Sequence, residues 1–235
     1  MIKKIAITGH SSGIGAAVLD VADLTCNDTE IRGYSKSNGW NIADSDGDKI
    51  IQELITESNA LLKIQELIDY DPNIVVNNAY YPEIQTKILK ALFEEWKSKD
   101  KIIINIGSIS GYMAGILPED QYLTCKEAQR NFVVRNSFVD EDTVKCKMYN
   151  LSFSYVATPL LTKSSYQKNT ENMIQLEDAA LAVLECFDDD EKGYRTVERV
   201  IQCKQITMAD MESNWRTGAR NMAKHIIRTN NDLKS

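Results

Sequence analysis

Tyr122 and Lys126 stand four residues apart in the stretch QYLTCKEA. On a helix that spacing puts both side chains on one face. A phenol titrates near 10 in water, so it is a poor acid or base at neutrality unless its surroundings help. An ammonium ~4 Å away at an effective dielectric of ~20 favours the phenolate by roughly 4 kcal/mol, equivalent to about 3 pKa units at the upper end. The pair therefore has the composition of a proton-transfer centre. The same spacing arises in many helices that do no chemistry, so support must come from elsewhere in the chain.

A second candidate lies near the start. ITGHSSGIGAAVLD follows an apolar, β-branched run and opens into helical spacing. Gly9 is expected to turn the chain off a strand, Gly13 to let a pyrophosphate approach the backbone, and Gly15 to let helix and sheet pack closely. The N–H groups at the helix start then face the anion, aided by the helix dipole. Ser11, Ser12 and Ile14 complete this cofactor-binding turn with the three glycines. The spacing is G-x-x-x-G-x-G, not the commoner dinucleotide spacing G-x-G-x-x-G.

These residues need a frame. Short apolar runs recur at 3–8, 30–35, 73–78, 101–108 and 145–153, and helical spacing occupies 13–24, 47–69, 82–98, 121–138 and 177–187. Runs of that kind suit strands buried on both faces, and their alternation with helices predicts an α/β fold, a doubly wound, mostly parallel sheet in three layers. IQELI occurs twice, at 51–55 and 64–68, too closely for a solenoid repeat. One domain is expected over 1–206. An amphipathic helical tail follows over 207–235, packed on the domain or on a sister subunit.

The chain has 235 residues, 43% hydrophobic and 26% charged, with a net charge of −7. That balance is ordinary for a globular protein and argues against nucleic acid as a partner. No apolar run approaches the ~18 residues of a membrane span, and MIKKIAITG reads as a first strand, not a signal peptide. The five cysteines (Cys26, Cys125, Cys146, Cys186, Cys203) are scattered and odd in number. They suggest neither a disulfide framework nor a zinc site, and fit a cytoplasmic setting. Only His10 and His225 are present, too few for a histidine-rich metal centre.

Four ordered motifs carry a resemblance. TGHSSGIG, NNA at 77–79, NIGSISG at 105–111 and YLTCK at 122–126 resemble the T-G-x-x-x-G-x-G, N-N-A-G, N-x-S-S-x-x-G and Y-x-x-x-K of the short-chain dehydrogenase/reductase family. The likeness covers roughly the first 160 residues. It implies a Rossmann-type sheet, a nicotinamide cofactor, and hydride exchange between an alcohol and a carbonyl. Tyr122 would be the general acid or base, Lys126 would also hold the nicotinamide ribose, and Ser108 would polarise the substrate oxygen, with Ser110 as its competitor. Asn77, Asn78 and Ala79 would line the cofactor groove. Asn41-Ile42 resembles the family's Asp-Val beside the adenine, and Thr158, with Val156 close by, resembles the Thr that contacts the nicotinamide amide. After the second strand stand Ser35 and Lys36, with no acid before Asp44. A hydroxyl and a cation there favour the 2′-phosphate of NADP over NAD. His10 is either a neighbour of that phosphate or a simple turn residue. The expected partners are a small carbonyl or alcohol substrate and further copies of the chain, as a homodimer or homotetramer.

The sequence also departs from the family. Tyr80 replaces the last Gly of N-N-A-G, Phe153-Ser154 replaces a P-G pair, and the helical active-site Asn has no counterpart. Gln85 or a rearranged water relay are the alternatives for that Asn. The segment 158–174 reads as a lid. These departures motivate a competing expectation, a catalytically silent dinucleotide-binding or sensor protein. A nucleotide-sugar epimerase is a third reading, disfavoured by the short C-terminal part.

Overall fold

The computed structural model describes residues 3–35, 61–81, 83–113, 120–137, 144–159, 173–187 and 197–203. β1 (Lys3–Thr8) is an apolar strand whose last four residues are buried, and Gly9 ends it with φ 71°. α1 (Gly13–Thr25) follows, and Asp28 in the left-handed region (φ 57°) turns the chain into β2 (Thr29–Tyr34). Residues 61–70 form α2. Then come β3 (Ile74–Asn77), α3 (Ile84–Trp96), β4 (Ile102–Ser108) with a 3-10 turn at Ile109–Tyr112, α4 (Gln121–Ser137), β5 (Lys147–Phe153), α5 (Leu176–Leu184) and β6 (Glu198–Ile201).

The six strands form one parallel sheet in the order β2-β1-β3-β4-β5-β6. Strand residues alternate between two cores. Ile5, Ile7, Val76, Ile104, Ile106, Tyr149 and Leu151 face α1 and α5. Ala6, Val75, Ile103 and Met148 face α2, α3 and α4. The three-layer, doubly wound α/β arrangement expected from the alternation of strands and helices is therefore observed. The chain steps from β1 to β2 on one side and to β3 on the other. This switch point leaves a crevice beyond the carboxyl ends of β1 and β3.

α3 buries Ile84, Gln85, Ile88, Leu89, Leu92, Phe93 and Trp96, a helical stripe along one face. α4 is different. Its buried face includes Lys126 and Gln129 beside Leu123, Cys125 and Val133. α5 begins with Glu177 and Asp178, acids that suit the positive end of its dipole.

Strand and helix boundaries lie within three residues of the sequence expectation, and those of β1 coincide with it; 47–60 lies outside the described residues. β6 was not expected. It is four residues long, none fully buried, and ERVI lacks the continuous apolar run of an inner strand. The tail 207–235 also lies outside the described residues.

Candidate active site

The glycine turn closes tightly. A Cβ on Gly15 would fall 2.4 Å from the Gly9 carbonyl oxygen, and one on Gly9 would fall 2.8 Å from Asn78 Nδ2. Thr8, fully buried, locks the crevice from beneath: its hydroxyl accepts from the N–H of Asn78 (2.9 Å) and of Ala79 (3.0 Å). The Asn78 amide donates to the carbonyls of Thr8 (3.1 Å) and Gly9 (3.3 Å). Ser12 caps α1 in extended geometry with no side-chain cap bond, and the first turn holds no acid. Ser11 and Ser12 are exposed, and Ile14 packs against the α1 side of the core. Backbone turned without a Cβ, at a helix start free of negative charge, fits a pyrophosphate.

Thr158 meets this turn, its Cγ2 lying 3.4 Å from where a Gly13 Cβ would stand. Its N–H donates to the Val156 carbonyl at 2.7 Å, and Val156 is buried in a bridge to Ile174. Ser35 is buried at the end of β2. His10 packs over Gly33, whose Cβ would lie 2.2 Å from His10 Cγ, and His10 Nδ1 is buried with no partner. Lys36, Asn41, Ile42 and most of the expected lid lie outside the described residues.

Ser108 ends β4. Its hydroxyl accepts from the Ser110 N–H at 3.2 Å, capping the 3-10 turn, and its side chain is in polar contact with the Tyr122 phenol. The structure thus brings Ser108, Tyr122 and Lys126 together. Asp120 starts α4 by accepting from the Tyr122 N–H at 2.6 Å, which fixes the ring's helix turn.

The electrostatics depart from the sequence expectation. Lys126 Nζ lies 5.6 Å from the centroid of the Tyr122 ring, over its face, and donates to Gln85 Oε1 at 2.7 Å and to the Ile106 carbonyl at 2.9 Å. Burial pushes the Tyr122 phenol above its ordinary value; the Ser108 contact opposes the rise and Asp120 adds to it. Burial also pulls Lys126 down to about 7. The expected acidification of the phenol by the lysine is absent, because the amine is turned toward amide acceptors beneath the ring.

Tyr80, in the position where the family has Gly, sets its ring edge-on to Tyr122 with centroids 4.9 Å apart. Lys126 Nζ lies 5.3 Å from the Tyr80 ring centre, and burial lifts the Tyr80 phenol to about 12.

A polar row runs beneath the site. Asn77 faces Asn105, Asn105 faces Asn150, and Asn150 faces Glu198 across four neighbouring strands. Each amide donates to the next acceptor: Asn77 Nδ2 to Asn105 Oδ1 (3.0 Å), Asn105 Nδ2 to Asn150 Oδ1 (2.9 Å), Asn150 Nδ2 to Glu198 Oε1 (3.4 Å). Tyr112 and Arg130 also bond to that carboxylate oxygen. This corrects one expectation. The Asn77 side chain is fully buried and supports the groove from below instead of lining it. Gln129, Asn150 and Glu198 were missed by sequence reasoning. A signal was available for the first two: Gln129 lies seven residues after Tyr122, on the same helical face, and Asn150 interrupts a buried run.

An open groove of about 630 Å³ lies between α3 and α4, lined by Thr86, Lys87, Lys90, Asp120 and Cys125 among others, and does not include the Ser108–Tyr122–Lys126 set. No cluster suited to a metal ion occurs among the described residues. None of the described helices is long and apolar enough to cross a membrane.

No protein-family model and no curated protein sequence matches the chain. Solved structures do. An oxidoreductase of the short-chain dehydrogenase/reductase family from Burkholderia thailandensis aligns with TM-score 0.63 and 15% identity, over 95% of this chain and 98% of that one. A 3-alpha-hydroxysteroid dehydrogenase from Pseudomonas sp. complexed with NADH aligns with TM-score 0.62 and 17% identity, over 85% and 95%. An alcohol dehydrogenase from the archaeon Thermococcus sibiricus complexed with 5-hydroxy-NADP gives 0.57 and 14%, over 88% and 99%. The chain has the Rossmann-type fold of short-chain dehydrogenases/reductases.

Proposed function

We infer that the protein is an NAD(P)-dependent oxidoreductase that reduces a small carbonyl compound or oxidises the matching alcohol. The observation that carries this reading is the convergence of Ser108, Tyr122 and Lys126 at the sheet end that also bears the glycine turn. Gly9, Gly13, Gly15 and the α1 start would hold the pyrophosphate, with Ser11, Ser12 and Ile14 beside it and Asn78, Ala79, Val156 and Thr158 along the groove. A bound nicotinamide supplies or accepts the hydride. Ser108 donates a hydrogen bond to the substrate oxygen and stabilises the charge that grows there. Tyr122 gives that oxygen its proton. A phenol held above its ordinary value is protonated at neutrality, as a proton donor to the substrate oxygen must be.

NADP is the preferred cofactor in this proposal, on the strength of Ser35 and Lys36 after β2 and the absence of an acid there. We assign the protein to the cytoplasm on its scattered, odd-numbered cysteines, and to a homodimer or homotetramer on the resemblance to the family. Replacing Tyr122 with Phe should lower turnover of an aldehyde and ketone panel by roughly 10²–10⁴-fold, the size of general acid contributions, while NADPH binding persists. Undiminished turnover would reject the role of Tyr122. Fluorescence titration with both coenzymes tests the preference, and tighter binding of NADH would reverse it.

One observation favours a second reading. The Tyr80 ring lies against Tyr122, and Lys126 is turned beneath both rings. A catalytically silent dinucleotide sensor would need no more than the glycine turn. NADPH binding without turnover on any member of the panel would select it.

A further inference from the structure

Lys126 is 4% exposed and Gln85 is fully buried, so the pair meets without water between them. The Gln85 amide has only one way to sit. Its Nε2 donates to the carbonyls of Asn77 (2.8 Å) and Ile106 (3.1 Å) and approaches Asn105 Oδ1 at 3.5 Å. Three acceptors on one side of the amide leave Oε1 to face Lys126 Nζ at 2.7 Å. A flipped amide would set its NH₂ against an amine and its oxygen against two carbonyls. Gln129 closes the cradle: its Oε1 stands 3.5 Å from Lys126 Nζ, and its Nε2 donates to Gln85 Oε1 (3.3 Å) and Thr86 Oγ1 (3.2 Å).

We propose that Gln85 is the positioning residue of Lys126, a direct, oriented amide acceptor that draws the amine below the groove and governs whether it carries a charge. The geometry stands without any ligand; its catalytic meaning rests on the function proposed above. The titratable groups facing the amine are the Tyr122 ring and the Cys125 thiol from α4 and the Tyr80 ring from the segment after β3. α3 and β4 contribute an amide and a carbonyl, and no carboxylate is bonded to the amine among the described residues. An acceptor dipole without negative charge holds the amine weakly as a cation, in keeping with its fall to about 7.

The sign of the pH effect follows. Lysine in an unfolded chain titrates near ~10.4. Between about 7 and that value the unfolded state binds the extra proton, so stability rises with pH through this window. Gln85→Glu places a carboxylate on the amine and should move the onset of the rise upward by about 1–3 pH units. Gln85→Met removes the acceptor and should move it downward.

The test is urea denaturation of the full chain from pH 5 to pH 10.5 for the unmodified protein, both variants and Lys126→Met, in which the rise should vanish. Onsets displaced in opposite directions support the proposal. A uniform loss of stability with the onset unmoved in either variant overturns it, since that is what a merely structural glutamine would give. Should Gln85→Glu not fold, the downward shift in Gln85→Met decides alone. Where turnover is measurable, the pH limb that Lys126→Met abolishes should move with the denaturation onset. Failure to bind NADPH would defeat the proposed function and leave this comparison intact.

Discussion

The two faces of the sheet are built on opposite principles. Toward α1 and α5 the strands present hydrocarbon along almost their whole length: Ile5 and Ile7, Val76, Ile104 and Ile106, Leu151 and Phe153. Toward α3 and α4 the same strands begin apolar, with Val75, Ile103 and Met148, and then turn to Asn77, Asn105 and Asn150. The first face can tolerate a lost methyl because dispersion and burial are spread over many atoms. The second cannot lose a partner so cheaply, because each buried amide has fixed neighbours. The chain places its hydrogen-bonded row only under the helix that carries Tyr122 and Lys126. The row reaches the amine only through its neighbours: it bonds to Gln85 and Gln129, whose amide oxygens face Lys126.

The largest effect that would sharpen this contrast is on the row itself. Asn105→Leu leaves Asn150 Oδ1 without its bond and takes one of two partners from Asn77 Nδ2 and from Gln129 Oε1, and should lower unfolding free energy by about 3–5 kcal/mol in urea titrations. A loss no larger than that of an aliphatic trim would show that the row is not a constraint. The next concerns charge. Lys126→Met should leave the protein relatively more stable at pH 6 than at pH 10, by about 2–4 kcal/mol between the two, because the native amine titrates near about 7 and the unfolded one well above it. No pH-dependent difference would mean that the buried amine is fully charged in the native state.

On the opposite face, Ile104→Val should cost only about 0.5–1.5 kcal/mol, with no change in pH dependence. The smallest effect belongs to the outside of α5, where Leu181 is half exposed: Leu181→Ala should stay within about 0.5 kcal/mol. A larger loss would mark that surface as covered in the working protein.

Much of the frame was legible because its signals are local. Continuous apolar runs gave β1, β3, β4 and β5 to within a few residues, and the placement of Gly9, Gly13 and Gly15 gave the turn into α1. β6 escaped because it is short and partly exposed. Glu198 escaped because its partners lie 48 residues or more away, and Gln129 because its inter-element partners Asn105 and Gln85 lie 24 and 44 residues away. The expectation that Lys126 would acidify Tyr122 failed for a related reason. Spacing fixes which helical face a lysine occupies, whereas its two closest acceptors come from α3 and β4.

The sequence by itself determined the alternation of strands and helices, the glycine turn and the shared face of Tyr122 and Lys126, since each depends on backbone conformation and helical or strand period. Only the tertiary structure decided that Asn77, Asn105, Asn150 and Glu198 stand in one row and that Gln85 holds the lysine. Register between strands and the meeting of α3 with α4 bring those groups together, and burial then makes every unpartnered polar atom costly enough to fix their orientation.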